Sequence, residues 1–249
     1  TSGLSRSDGV SANIKMQFPG SLTKMLAPEG DDFDPWELER VAWVLLEVLV
    51  DRPDVAPPLA PGATAWARAR RLADLFDRYM THRPVMIRNW AAGHDVEGAG
   101  RPVNAHARWQ PGLWRLVRQR IGRPSPPELM PQRIADLLAG RFPESIPERI
   151  SVFGLSTIPG GTPLIELLDA LGGRRDVHVF MHQPSLAMVG QVAGAQSAAA
   201  NAPHITSTPL IRAEDQSSSL VANPLLCSWG RPAREAIVAT AGRYETPFV

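Results

Sequence analysis

Paired carboxylates are the residues of this sequence that could do chemistry, since a nuclease needs carboxylates that converge on magnesium. Asp31 and Asp32 adjoin in a predicted loop with no lysine partner, which favours a solvated cap region. Asp74 and Asp77 lie on one face of a predicted helix, and Arg78 follows Asp74 by four residues, the spacing of an ordinary surface ion pair. On these residues alone the ion pair is the favoured interpretation, and a functional face is the alternative.

Several kinds of active site have no motif in the sequence. There is no G-x-x-x-x-G-K-[ST] phosphate loop, and neither lysine, Lys15 or Lys24, follows a glycine-rich turn, so an ATPase site is not expected. C-x-x-C, H-E-x-x-H and G-x-S-x-G are also absent. His178 and His182 span a predicted strand end rather than one helix face, and Cys227 is expected to be a small packed side chain. We therefore expect no catalytic residue, metal ligand or cofactor site in this chain.

One stretch, residues 98–127, contains six arginines and no carboxylate, with Trp109 and Trp114 interleaved. The arginines are Arg101, Arg108, Arg115, Arg118, Arg120 and Arg123. Basic residues alternating with aromatic ones are typical of surfaces that bind single-stranded nucleic acid. A solvated helix face whose tryptophans turn into the core is the alternative, and the sequence favours neither.

Composition places the chain among ordinary globular proteins. It has 249 residues with 44% hydrophobic and 20% charged residues, enough for one large domain or two small ones. A single cysteine and the absence of a long apolar run indicate a reducing, cytoplasmic setting with no membrane partner. The sequence starts without an initiator Met or a signal-peptide core, so we expect that the beginning of the chain has been removed.

Hydrophobic periodicity predicts an α-rich first half and an α/β second half. Helices are expected over residues 34–51, 64–83, 86–90, 112–121 and 132–138. The second of these begins at Thr64 and carries Leu75 on its apolar stripe, with Asp74, Asp77 and Arg78 on the polar side. Later in the chain, parallel strands are predicted at 149–155 and 176–181 around a helix at 163–171, then a flexible segment at 190–222 and a last helix at 232–242.

Five ordered stretches of the sequence match a pattern that is known from one protein family. They are Gly9-Val-Ser-Ala-Asn-Ile14 with Phe18-Pro19, Ala73–Tyr79 with His82-Arg-Pro84 and 90–100, Trp109-Gln-Pro-Gly-Leu-Trp114, Phe153-Gly-Leu-Ser156, and Asn223-Pro-Leu-Leu-Cys-Ser-Trp-Gly230. Over about residues 9–240, the chain thus resembles the first quarter of a member of the RecC family, the gamma subunit of RecBCD-type exonuclease V.

The resemblance implies an α/β fold, a partial and inactive superfamily 1 helicase-like 1A domain with a parallel sheet, interrupted by a large all-α insertion of the 1B type. The implied domains are 1–30, the start of the α/β domain without its first strand region; 31–145, the insertion; 146–189, the resumed α/β domain; 190–222, a flexible loop; and 223–249, a helical segment of the α/β domain.

The resemblance also implies a function, that of a non-catalytic subunit lining the channel for the unwound DNA strand, where the Chi signal is sensed during recombinational repair. Implied partners are single-stranded and forked DNA and RecB-like and RecD-like subunits, which would supply the ATP and magnesium sites. Carried over by motif, the strand-facing residues are Phe18, Asp74, Leu75, Asp77, Arg78 and Arg83.

The implied mechanism divides these residues by charge. Arg78 and Arg83 would hold phosphates, while Asp74 and Asp77 would accept hydrogen bonds from base amino groups or orient the arginines. Two other readings stay open: a catalytic ATP-dependent helicase or nuclease domain, and a truncated non-functional product. The second rests on residues 244–249, which depart from the family pattern.

Overall fold

The structure describes most of the chain, and its elements are mainly α-helices with two strands. The computed structural model describes residues 14–18, 22, 25–26, 33–58, 61–98, 100–154, 163–181, 185, 187–192 and 217–240. Within them the α-helices are α1 (Leu38–Asp51), α2 (Ala65–His82), α3 (Pro84–Ala91), α4 (Trp109–Ile121), α5 (Pro126–Leu138), α6 (Leu164–Gly172), α7 (Pro224–Trp229) and α8 (Arg231–Thr240). The strands are β1 (Arg149–Phe153) and β2 (Asp176–Phe180), and residues 187–192 are also helical.

Helices α1 to α4 enclose one hydrophobic core. The apolar side chains of α1 recur every three or four residues, so one face of that helix packs along α2, where the small Ala69 and Ala73 allow close approach. Trp114 of α4 lies at the centre of this core, stacked on Trp36 at 4.9 Å between ring centroids and edge-on to Phe76 at 5.4 Å. The predicted α-rich first half is confirmed.

Among the predicted helix starts, that of α2 is right, whereas those of α1 and α5 differ from the structure by several residues. Helix α2 starts where predicted, and Thr64 is its cap, since the Thr64 hydroxyl accepts a 3.1 Å hydrogen bond from the Ala67 N–H. Helix α1 starts at Leu38, later than predicted, because Asp34 closes a turn instead, accepting from the Trp36 N–H at 2.9 Å. Helix α5 starts at Pro126, earlier than predicted, because Ser125 and Glu128 form a capping box ahead of it.

Strands β1 and β2 pair in parallel, with Arg149 opposite Asp176 and Phe153 opposite Phe180. Helix α6 connects them, which confirms the predicted strand, helix, strand unit. One sheet face, which includes Ile150 and Val152, joins α5 and α6 in a second core, whereas the side chains on the opposite face are exposed. The fold is therefore mixed, helical with a small parallel sheet, and compatible with the expected α/β class.

A third, small core holds the C-terminal part together. Val192 and Val221, at the two described ends of the segment predicted to be flexible, are buried in it with Ile237 of α8; residues 193–216 of that segment lie outside the described residues. The buried Arg234 of α8 donates hydrogen bonds to the carbonyl oxygens of Leu226 and Cys227 in α7. Helix α7 lies within the helical segment that the resemblance implies over 223–249, although hydrophobic patterning predicted only the helix at 232–242.

Candidate nucleic-acid interface

The acidic and basic residues predicted on α2 come together on one exposed flank of the helix. Arg78 Nη2 donates to Asp74 Oδ2 at 2.6 Å, and the two side chains are 63% and 50% exposed. The Arg78 Nε also donates to the Asp74 carbonyl oxygen at 3.3 Å. The ion pair expected from the spacing is thus present, and both of its members remain accessible to a ligand.

Asp77 lies beside this pair in surroundings that disfavour its charge. Its side chain is half-buried, and this burial raises the pKa of the Asp77 carboxyl, as does the negative charge of Asp74, against a smaller opposing effect of His82. Carboxyl groups with pKa values perturbed in this way are more frequent at functional sites than elsewhere. The surroundings of Asp77 therefore set it apart from an ordinary surface aspartate.

Replacing Asp77 by asparagine is expected to stabilise the folded chain at neutral pH. Because its pKa is raised in the folded state, Asp77 contributes most to stability below its unfolded pKa of about 3.9, and this contribution is lost as the pH rises through the folded value. The gain at pH 7 should stay under about 1 kcal/mol, since the group is partly solvated, and should vanish near about pH 3. Urea unfolding at both pH values measures it; a variant less stable than the parent at pH 7 would contradict the argument.

The other residues expected at the site are Arg83, Leu75 and Phe18. Arg83 follows the end of α2, exposed, with its guanidinium carbon 5.4 Å from the ring centroid of Tyr79. Leu75 is half-buried, and helical geometry turns it about 160° away from Asp77. Phe18 belongs to the separate segment 14–18 and is 90% exposed. The structure thus brings together Asp74, Asp77 and Arg78, and helical geometry places Leu75 about 60° around the helix from Arg78, on the side away from Asp77.

Three arginines of the basic stretch are already paired with carboxylates. Arg115 contacts Asp95 at 2.7 Å, Arg118 contacts Glu128 at 2.7 Å, and Arg120 contacts both Asp51 at 2.5 Å and Glu47 at 3.2 Å. These carboxylates come from α1, the loop after α3 and the start of α5. The arginines therefore tie elements together, and the charge that the sequence stretch suggests is partly neutralised in the fold.

The Glu128 carboxylate is the most enclosed partner among these pairs, with a side chain that is 15% exposed. Burial raises its pKa, but the hydrogen bonds from Arg118 and from Ser125 outweigh burial, so the pKa of Glu128 lies below its ordinary value. Arg118 thus links α4 to α5 and also holds the Glu128 carboxylate that forms the cap of α5.

The tryptophans of the basic stretch do not form an exposed stacking surface. Trp114 is fully buried in the first core. Trp109 is partly buried against the same core, and its Nε1 donates to the His106 carbonyl oxygen at 2.9 Å. The alternative interpretation, tryptophans turned into the core, is the correct one for Trp114, and the stacking interpretation is wrong for that residue.

The sheet carries an exposed aromatic pair that was not predicted from the sequence. Phe153 and Phe180 end the two strands, and their rings lie parallel, 4.4 Å apart between centroids. Only the strand register brings them together, so a separation of 27 positions along the chain gives no local signal.

Among the described residues no group of three or more His, Cys, Asp or Glu side chains is arranged to hold a metal ion. No described helix has the length and apolar character needed to cross a bilayer.

Comparisons with known proteins match the chain to the same family that its sequence stretches resemble. The family model described as RecC, N-terminal domain, matches residues 1–246. The chain is 34% identical over 250 residues to the RecBCD enzyme subunit RecC of Mycobacterium tuberculosis, 94% of the chain and 21% of that relative. Identity to the subunit of the same name is 30% over 249 residues in Mycolicibacterium smegmatis and 28% over 272 residues in Escherichia coli, covering 20% and 23% of those relatives. The chain spans about a fifth of the length of these relatives.

Proposed function

Because the chain belongs to the RecC family, we propose that it is a DNA-binding, non-catalytic part of a RecBCD-type complex that repairs double-strand breaks by homologous recombination in the cytoplasm. Its partners in this proposal are RecB-like and RecD-like subunits, which supply ATP hydrolysis and magnesium-dependent cleavage. Its ligand is single-stranded or forked DNA.

In the proposed architecture, helices α1 to α5 are the all-α insertion of a superfamily 1 helicase-like module, and β1, α6 and β2 belong to its α/β domain. The order of the elements supports this assignment, since a helical unit with its own core precedes a parallel strand, helix, strand unit. The insertion then stands beside the sheet, and α2 presents its polar flank.

The flank of α2 that carries Asp74, Asp77 and Arg78 is proposed to line the channel for the unwound strand. The single observation that supports this best is the exposed Asp74–Arg78 pair next to a carboxylate held in unfavourable surroundings. A flank with two acids and one base gives little unspecific attraction to phosphates, whereas carboxylates accept hydrogen bonds from base amino groups. Such a flank suits reading a passing strand, as Chi scanning requires.

In the proposed mechanism Arg78 and Arg83 contact phosphates, and Asp74 fixes the orientation of the Arg78 guanidinium. Asp74 and Asp77 present their carboxylates to the amino groups of bases. Leu75 and Phe18 would add apolar contacts from the neighbouring surfaces. No step makes or breaks a covalent bond, so this chain guides the strand while the partner subunits perform the chemistry.

The proposal is tested by substituting Arg78 in the assembled complex. Arg78→Ala is expected to weaken single-stranded DNA binding. It should also reduce the slope of log affinity against log salt concentration by about 1, because it removes one guanidinium that contacts a phosphate in the channel. Asp74→Ala is expected to change the position of signal-dependent cleavage with little change in that slope. DNA binding over a range of salt concentrations and mapping of cleavage products measure both effects.

Arg141→Ala is the matched control. Arg141 is 65% exposed, against 63% for Arg78, and it too forms a local ion pair, with Asp136 at 2.5 Å, but it lies beyond the end of α5. Its removal should leave both readouts unchanged. If Arg78→Ala and Asp74→Ala behave like Arg141→Ala, the α2 flank does not line the channel and the proposal fails.

A further inference from the structure

The aromatic pair on the sheet is exposed to an unusual degree for phenylalanine. The Phe153 and Phe180 side chains are 68% and 48% exposed, although their rings contact each other at 4.4 Å between centroids with an angle of 5° between the ring planes. Phe76, by contrast, is fully buried in the first core. A stack of two parallel rings leaves an outer ring face at each end, onto which a third flat ring can add.

The rest of the same sheet face is polar. Arg149 Nε donates to Asp176 Oδ2 at 2.7 Å, and His178 Nε2 lies 2.9 Å from Asp176 Oδ1. Parallel sheets that are covered by packed helices have apolar residues on the covered face, as Ile150 and Val152 are here on the face towards α6. The exposed face therefore does not suit a second layer of helices; it suits a ligand that combines flat rings with charged and polar groups.

The pair also stands where α/β proteins bind their ligands. Phe153 and Phe180 are the last residues of two neighbouring parallel strands, and ligands of open α/β sheets bind outside the carboxyl ends of the strands. Gly154 follows with a φ of 72°, and no atom of the described residues lies within 4 Å of the position that a Cβ would occupy. The backbone there is open to close approach by a ligand.

We propose that Phe153 and Phe180 form a stacking site for an unpaired base of single-stranded DNA. The inference rests on the proposed function, because it takes its ligand from there, and it adds a second contact region on a different element from α2. Aromatic rings bind any base through its π-face, so this site contributes affinity without sequence preference, while the α2 flank contributes the reading. His178, 6.3 Å from Phe180 between ring centroids, borders the site on the polar side.

The test uses the complex assembled with its partner subunits and a single-stranded oligonucleotide that carries 5-iodouracil. Phe153→Ala and Phe180→Ala are each expected to weaken binding of the strand by about fivefold or more, the effect of removing one stacking ring. The same variants should lose the photo-cross-link between iodouracil and the β1 and β2 segments. Phe153→Tyr and Phe180→Trp, which keep an aromatic ring, should restore both readouts.

Phe33→Ala is the control, since Phe33 is also an exposed phenylalanine, 51% exposed, but lies ahead of α1 under the guanidinium of Arg40. Unchanged affinity and an unchanged cross-link in the Phe153 and Phe180 variants would overturn the stacking site. So would loss of assembly with unaltered DNA affinity in the complexes that form, because the face would then be a protein interface. If Arg78→Ala still alters DNA binding, only the stacking site has failed; if it too is silent, the proposed function has failed.

Discussion

Replacing Trp114 by alanine is expected to lower the free energy of unfolding by about 3–5 kcal/mol, the range for removing a fully buried large aromatic side chain. Trp114 is 0% exposed and lies between Trp36 and Phe76 in the core that joins α1, α2 and α4. No neighbour can fill the space left by an indole without moving a helix, so the cavity persists. Loss of this size is a large share of the stability of a typical domain.

Urea unfolding followed by far-ultraviolet circular dichroism measures the effect without depending on tryptophan fluorescence. Trp229→Ala makes the same chemical change at a side chain that is 84% exposed, and it should alter stability by no more than about 0.5 kcal/mol. Equal effects of the two substitutions would contradict the core assignment. A Trp114→Ala variant of normal stability but weakened DNA binding would instead restore the stacking interpretation of the basic stretch.

Replacing Arg234 by methionine is expected to cost about 2–3 kcal/mol of stability, since several partly buried acceptors lose a charged hydrogen-bond donor. Arg234 is 1% exposed, and its guanidinium donates to the Leu226 and Cys227 carbonyl oxygens and to Ser217 Oγ at 3.0 Å. Methionine keeps much of the apolar volume, so the loss reports the hydrogen bonds. Arg234→Lys should recover little, because an ammonium group does not reproduce the planar fork of donors.

Hydrogen exchange of the α7 amides, together with urea unfolding, measures the consequence locally and globally. The Cys227 and Gly230 N–H groups, which donate within α7 at 2.8 and 3.0 Å, should lose protection in Arg234→Met. Arg141→Met removes an arginine that is 65% exposed and should cost under about 1 kcal/mol. Retained protection of α7 in Arg234→Met would show that the guanidinium does not hold this helix.

Periodicity was sufficient to predict the helices of the first half, because their apolar spacing is set by one buried face. It failed where a terminus depends on local hydrogen bonds. The run Pro126-Pro127 looks like a loop, yet proline is tolerated in a first helical turn, and the Ser125–Glu128 capping box starts α5 there. Asp34 shows the opposite case, a capping residue type that closes a turn ahead of the helix.

The site was predictable only as far as its contacts are local. The Asp74–Arg78 pair follows from a spacing of four residues on one helix. The partners of Arg120, by contrast, lie 69 and 73 positions away on α1, so no sequence window shows that its charge is neutralised. The half-burial of Asp77 and the pairing of Phe153 with Phe180 likewise depend on helix packing and strand register, which only the folded chain defines.

Under the proposed function, the pairing of arginines with carboxylates across α1, α4 and α5 has a consequence for movement along DNA. Guanidinium groups that are already paired with carboxylates neutralise few phosphates, so few counterions leave the DNA and such a surface holds a strand weakly at each position. Weak holding means low friction. In the proposed channel, a strand driven forward by a motor subunit would slip past these helices without pausing, and a pause would arise only where specific contacts are made.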